Sequence, residues 1–436
     1  MFKKITFLLL NFLLLTHLWS WGSHYLITLR SLEHPDMAFL DKEVPTEELE
    51  DFIKKEREGL YQLFKEYYEW HYKFNPKRMN PDYLKNPFDK EKADLQAFLR
   101  SARLNPKARF LLVNRVLPGQ KPKYKVVPIK EVYPYYKDVG FFFQFEDVKG
   151  KKVSLRSILV TFADEPDWIM DHHLWEIKEY GYGEQPYGEP EGESSKAPFH
   201  MLFMHEPWIV QVSAPYLLEG MTIERIVLFT KLAKFAKETG HEYWAHRFLA
   251  WAIHYYQDLA QPYHAKAVPE ANFWYYTKYI FSWDKKGFQQ RTTQLLKNKH
   301  FIYEDFVSVY LEKSLTEPDS ITDSLCYALR KNPIIFEDYK KYLKNPDYYK
   351  VIYDLTKYSS DHAYQLDKNI QEIFGYKYTQ DPGYDLERDP EYKITNVITQ
   401  LSENKKNLLL QETDKDFQNT GQITRFAVLD LHQKEL

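Results

Sequence analysis

The chain has 436 residues, 44% apolar and 28% charged, which suits a soluble globular protein with a full core and room for a second small unit. Its net charge is −3, so no overall basic field favours duplex nucleic acid, and none is expected as a partner. Cys326 is the only cysteine, which excludes an internal disulfide and suits a lone buried thiol.

The first twenty residues have the pattern of a secretion signal. Lys3 and Lys4 precede ITFLLLNFLLL, then a polar break and Ser20. The apolar run is short for a membrane span, so the mature protein is expected to be secreted or periplasmic. A cut after Ser20 makes Trp21 the new N-terminus, with Trp19 as the other candidate start. A free terminal amine and its carbonyl can chelate a metal. His24, placed on the polar side of a short helix, can complete that clamp, with Tyr25, Ile27, Leu29 and Leu32 left for packing.

Residues 45–105 alternate acids and bases at helical spacing and predict helices with a solvated face. From Lys107 to about Phe162 the pattern changes to short β-rich runs, FLLV, KYKVV, GFFFQF and VSLRSILV, which predict an inserted small sheet or long hairpins. TFADEPDWIMDHH follows, a predicted loop crowded with Asp164, Asp167, Asp171, His172 and His173. Such a loop is either a metal site or a solvated turn. Residues 180–198 are rich in Gly, Pro, Glu and Ser and read as irregular. APFHMLFMHE then carries His200 and His205 in an apolar setting, where a lone histidine is more often a core residue than a ligand.

An amphipathic helix over 221–238 leads into HEYWAHRFLAWAIHYYQDLAQPYH, residues 241–264. Trp244, Phe248, Trp251, Tyr255 and Leu259 recur at helical spacing and predict one packing stripe. His254 and Asp258, four apart, share a helix face. Pro262 stops the ladder, and the turn delivers His264. An aromatic stretch, Phe273–Tyr279, could insert into lipid or stack on a base. His300 and Glu304 form a second pair four apart on a helix. Residues 337–375 read as helical, ending at Gly375. The tail from Tyr376 is polar and turn-rich, with one helical segment around 393–411.

Either His–carboxylate pair alone reads as an ordinary helix-surface pair. Both pairs, a histidine after a helix-ending proline and a tryptophan at a signal cut together resemble one family: the zinc-dependent phospholipases C and the related single-strand nucleases. The likeness is strongest at HYYQDLAQPYH, extends back through FTKLAKFAKETG and forward to HFIYEDFV, and anchors most of 21–376. The spacing from Trp21 to His24 is shorter than in that family, the insertion at about 45–160 is larger, and 377–436 has no counterpart in it.

The resemblance implies a mainly α, multi-helix phospholipase C/nuclease-like bundle with an inserted small β-rich segment. It also implies three zinc ions, two at minimum. His254 and Asp258 would hold one zinc with Asp164 and His200, Asp167 and His205 being the alternatives for the latter two. His264, His300 and Glu304 would hold a second, and Trp21 and His24 a third, with Asp258 bridging. Asp164 would also orient or deprotonate the attacking water. Zinc ions so placed neutralise a phosphodiester, lower a bound water's pKa to roughly 7 and stabilise the leaving oxygen.

The expected activity is an exported phospholipase C that releases a phosphorylated head group, with transient contact to a membrane surface. Tyr255, the Pro-Tyr-His form at 262–264, Glu304 and the lack of disulfide pairs lean toward it. FADEPDW is similar to an element of the nucleases, so a single-strand nuclease releasing 5'-phosphate products is the alternative. A zinc-binding surface protein without turnover is the third reading.

Overall fold

The computed structural model describes residues 23–134, 144–188, 193–271, 273–331, 343 and 347–433. The expected signal segment and Trp21 lie outside the described residues. The fold is mainly α, with two small antiparallel sheets among the helices. Helix α1 (His24–Leu32) opens it. The polar stretch that follows forms α2 (Leu49–Lys55), α3 (Arg57–Phe74) and α4 (Leu95–Ala102), with Leu60, Phe64, Tyr67 and Tyr68 of α3 buried. Asp94 starts α4 by accepting the amide of Ala97 at 2.8 Å.

The inserted β segment is small. Strand β1 (Glu43–Pro45) pairs with β5 (Lys152–Ser154), placing Val44 opposite Val153. Strands β2 (Val113–Val116), β3 (Val126–Val127) and β4 (Gln144–Asp147) form a second sheet in the order β2-β4-β3. VSLRSILV departs from its expected strand. Only its first two residues pair with β1. Ser154 then accepts the amide of Ser157 at 3.1 Å and starts α5 (Leu155–Phe162). Leu155, Ile158, Leu159 and Phe162 are buried at helical spacing, so the cap and the 3.6 period prevail over β-branched content.

Helix α6 (Thr222–Glu238) packs along α7 (Glu242–Leu259), and α8 (Pro262–Ala265) follows the proline turn. Every residue of α7 from Tyr243 to Leu259 is buried, so the expected single stripe is a helix enclosed on all sides. Next come α9 (Phe273–Ile280), α10 (Lys285–Thr316), α11 (Ser320–Arg330) and α12 (Tyr348–Phe374). Gly375, with φ of 76°, ends α12 as the sequence predicts.

The tail differs most from its expected form. After a short helix over Ile394–Gln400, residues Glu403–Leu431 form one continuous helix, α13, packed on α1, α7, α11 and α12. Many of its polar residues are buried, Thr413, Asp416, Thr420 and Thr424 among them. Arg425 donates to the carbonyls of Leu329 and Lys331, satisfying the end of α11, where the helix dipole favours a cation. The segment after 376 therefore belongs to the packed body, with Phe417 in one apolar cluster and Ile423 and Val428 in another.

Gly421 makes this packing possible, because a Cβ there would overlap the Leu329 carbonyl. Gly421→Ala should destabilise the protein by about 1–3 kcal/mol in denaturant melts. Helix propensity alone would favour alanine by roughly 1 kcal/mol, so the sign separates the two effects.

His362 of α12 joins α13 by an ion pair on each ring nitrogen, to Asp416 at 2.7 Å and Glu412 at 2.5 Å. Lys415 also pairs with Glu412, and the Tyr303 hydroxyl donates to Asp416. Burial opposes the charged imidazole, but the two acids outweigh it and push His362 up to about 9. The folded value lies above the roughly 6.5 of an unfolded histidine. This stabilisation is therefore complete below about pH 6.5 and is lost as pH rises through about 9. The melting-temperature gap between wild type and His362→Gln should shrink across that window, and a constant gap would contradict the pairing.

The two apolar clusters meet at the polar centre of the molecule. One contains Ile253, Tyr255 and Leu259 of α7, and the other contains Tyr25 of α1, Tyr263 of α8 and Tyr303 of α10. The rings of His24 and His254, one from each side, lie 3.9 Å apart.

Candidate metal centre

Seven sequence-predicted ligands come together at that seam. His24, His200, His254, Asp258, His264, His300 and Glu304 are each no more than 4% exposed. Three groups could each hold a metal ion: His24 with His254 and Asp258; Asp167 with His200 and His254; and His264 with His300 and Glu304. Helical spacing makes the pairs. His254 Nε2 lies 3.3 Å from Asp258 Oδ2, and His300 Nε2 lies 2.9 Å from Glu304 Oε1. The proline turn brings His264 Nε2 to 3.1 Å from His300 Nε2.

Asp258 joins the first two groups although it is assigned to only one of them. Its Oδ2 is 2.8 Å from His200 Nδ1, while its Oδ1 faces His24 Nε2 at 3.5 Å and His264 Nδ1 at 3.6 Å. The carboxylate thus turns one oxygen to each side.

The outer contacts orient the imidazoles. His254 Nδ1 donates to the Ala163 carbonyl at 2.7 Å, and His264 Nδ1 to the His200 carbonyl at 2.8 Å. His24 Nδ1 donates to Gln257 Oε1 at 2.8 Å. The Gln257 amide is itself fixed by Thr28 of α1 and Thr424 of α13, so the tail helix reaches the centre through one side chain. His200 Nε2 lies 3.2 Å from Asp171 Oδ2, a carboxylate–histidine arrangement that supports a metal ligand. His200 Nδ1 faces inward, donating to Asp258 Oδ2 at 2.8 Å and lying 3.0 Å from His254 Nε2. With its Nδ1 proton outward, His254 Nε2 is an acceptor 3.3 Å from Asp258 Oδ2, and two acceptors at that distance need a proton on His200 Nδ1 or a metal cation beside them.

Charge balance points the same way. Four buried or nearly buried acids of TFADEPDWIMD each have a fixed cation. Asp164 pairs with Arg115 at 2.5 Å, Glu165 with Arg247 at 2.5 Å and Asp171 with Arg225 at 2.7 Å, and Asp167 pairs with Lys196. Among the described residues, Asp258 and Glu304 pair with no lysine or arginine. Asp258 Oδ1 and Glu304 Oε2 are buried and accept no hydrogen bond. A buried carboxylate needs a compensating charge. Protons supply it here: against burial, Asp258 and Asp171 push His200 up to about 9. Burial, with His300 adding to it, lowers His264 to about 3, and burial holds His254 well below its ordinary range. Against its own burial, His254 and His200 hold the Asp258 carboxyl well below the carboxylate range. Nitrogen and carboxylate donors with open oxygens suit a divalent transition metal.

Two expected positions resolve differently. Asp164 stands outside all three groups. Its Oδ1 accepts the Tyr25 amide at 3.0 Å and its Oδ2 binds Arg115, so both oxygens are engaged. Asp167 takes the inner place, 3.7 Å from His254 Nε2 and 3.9 Å from His200 Nδ1. The predicted loop here is a tight helical turn over Pro166–Met170, which carries Asp167 inward. His205 lies apart from the groups, bonded to Thr356 at 2.9 Å and packed on Tyr353. His24 is interior rather than on a polar face, because α1 packs between α5 and α13. Asp171 supports His200 from the acid-rich loop that the sequence marks as a possible metal site, whereas Gln257 and Lys196 are supporting residues outside the sequence-based set, and of these two only Gln257 carries a signal, its i+3 spacing from His254.

The geometry stands on its own: no family model matches the chain, and neither a curated protein nor a solved structure matches it.

Proposed function

We propose that the chain is an exported zinc-dependent phosphodiester hydrolase, a phospholipase C that releases a phosphorylated head group. The observation that carries this reading is the union of adjacent ligand groups through Asp258, whose Oδ1 accepts no hydrogen bond. Zinc bound there supplies Lewis-acid chemistry, neutralising phosphoryl oxygens and acidifying water.

The chain's own residues set the rest. Asp171 and Gln257 hold the His200 and His24 rings in orientation. Asp258 sets the spacing between the groups. In this reading Asp167, which stands with His200 and His254, takes the role of orienting the attacking water in place of Asp164. Lys196, buried against Asp167, balances the charge of that carboxylate.

The test is a three-way substrate assay on zinc-reconstituted protein. Release of nitrophenol from p-nitrophenyl phosphorylcholine, with diacylglycerol from phosphatidylcholine, is the expected result. Cleavage of single-stranded DNA to 5'-phosphate products without lipid turnover would replace this reading with a nuclease. Bound zinc with neither activity would leave a metal-binding surface protein.

A further inference from the structure

The segments that leave His200 and His264 run side by side and end in exposed apolar residues. Their bases are tied together: the Leu202 amide donates to the His264 carbonyl at 2.8 Å, and Glu206 accepts from Lys266 at 3.0 Å and from the Ala267 amide at 2.8 Å. Beyond this tie, the first segment forms a short helix over Trp208–Ser213 and a turn over Pro215–Leu218. Trp208 is 75% exposed and Val212, one helical turn on, is 74% exposed. The second segment forms α9 and the turn after it, where Phe281 is 77% exposed and Trp283 fully exposed. The two segments stay close at their ends: Tyr216 of the first, its pKa raised chiefly by burial, also feels Tyr279 of the second, and Tyr275, likewise raised chiefly by burial, feels Tyr216.

These residues do not hold the fold together. Tyr275 and Tyr279 already fix α9 to α10, through Phe288 at ring distances of 5.2 and 5.7 Å and through Thr292. Single exposed hydrophobic residues are ordinary, but four large ones on two adjoining segments form a patch.

Charge identifies the occupant. Between 278 and 291 the chain carries Lys278, Lys285, Lys286 and Arg291 against Asp284 alone, in a protein of net charge −3. Arg291 takes up Asp284 at 3.2 Å, while the three lysines are exposed. Tryptophans beside lysines suit the boundary between lipid head groups and acyl chains. The aliphatic Val212 and the half-exposed Leu218 favour lipid over nucleic acid, because they gain from insertion and cannot stack on bases. Among the described residues no helix is long and apolar enough to cross a membrane.

We propose that the rim carrying Trp208, Val212, Phe281 and Trp283 docks the protein on an anionic phospholipid surface, presenting the metal centre to lipid. Its link to catalysis rests on the phospholipase reading; docking itself needs neither metal nor turnover.

The experiment is co-sedimentation of the full chain with phosphatidylcholine vesicles, with and without phosphatidylglycerol, in chelator so that no lipid is consumed. Wild type should sediment with the phosphatidylglycerol vesicles. The double variant Trp208→Ser, Trp283→Ser should lose about tenfold or more in partitioning. Changing Lys278, Lys285 and Lys286 to glutamine should weaken binding roughly fivefold per lysine and abolish the preference for anionic lipid. All five positions are exposed, and unchanged melting checks the fold. Wild type left in the supernatant, variants that sediment like wild type, or tryptophan-dependent capture of single-stranded oligonucleotide without vesicle binding would each overturn the proposal. Zinc-dependent hydrolysis of p-nitrophenyl phosphorylcholine, a soluble substrate, should be unchanged in the tryptophan variant. Failure of docking is thereby distinguished from failure of the hydrolase reading.

Discussion

Asp258→Asn should empty the metal groups on both sides of residue 258 while sparing the third. Asparagine keeps the shape of the side chain but removes the charge that two groups share through Oδ1 and Oδ2. His264, His300 and Glu304 form a separate group that does not include Asp258, so any ion it binds should be retained. Metal analysis should therefore show the variant holding a reduced, non-zero content. Phosphodiester turnover should fall by about 100-fold or more, the scale of losing an electrostatic element from a preorganised site. A variant with wild-type metal content would refute the bridging role. Wild-type activity with reduced metal would detach catalysis from this carboxylate.

Removing metal from the wild-type chain should have the second large effect, this time on stability. A ligand that binds only the folded state adds about 4 kcal/mol when present at 1,000 times its dissociation constant. For a chain of this length, loss of that amount lowers the melting temperature by about 5 °C. In the metal-free protein, the facing acceptors His254 Nε2 and Asp258 Oδ2 and the open oxygen of Glu304 must share protons instead. The fall should be restored by adding zinc after the chelator is removed. An unchanged melting curve would mean that these groups are satisfied without a cation.

The helical ligand pairs were legible in the sequence because spacing alone determines them. Residues four apart on an α-helix meet whatever surrounds them, and this held for His254 with Asp258 and for His300 with Glu304. The position of His264 followed from the proline stop. The choice between Asp164 and Asp167 was not legible, because it depends on partners distant in sequence. Arg115, on a strand of the inserted sheet, takes Asp164, and a tight turn beginning at Pro166 carries Asp167 inward.

The tail was misread for a different reason. Periodicity identifies a buried helix by its apolar residues, but much of α13 is buried through polar ones, Thr413, Asp416, Asn419, Gln422, Thr424 and Arg425 among them. Their partners lie on α1, α7, α10, α11 and α12, and no local pattern reveals them. The same holds for the interior position of His24, which is buried only once α13 closes over α1.

The central claim is that these side chains gather metal ions. An anomalous difference map, recorded at the zinc absorption edge from crystals of the zinc-reconstituted chain, tests it most directly. Peaks are expected in each group, between His24 and Asp258, among Asp167, His200 and His254, and among His264, His300 and Glu304. An ordered map with no anomalous peak at any of these positions would contradict the claim.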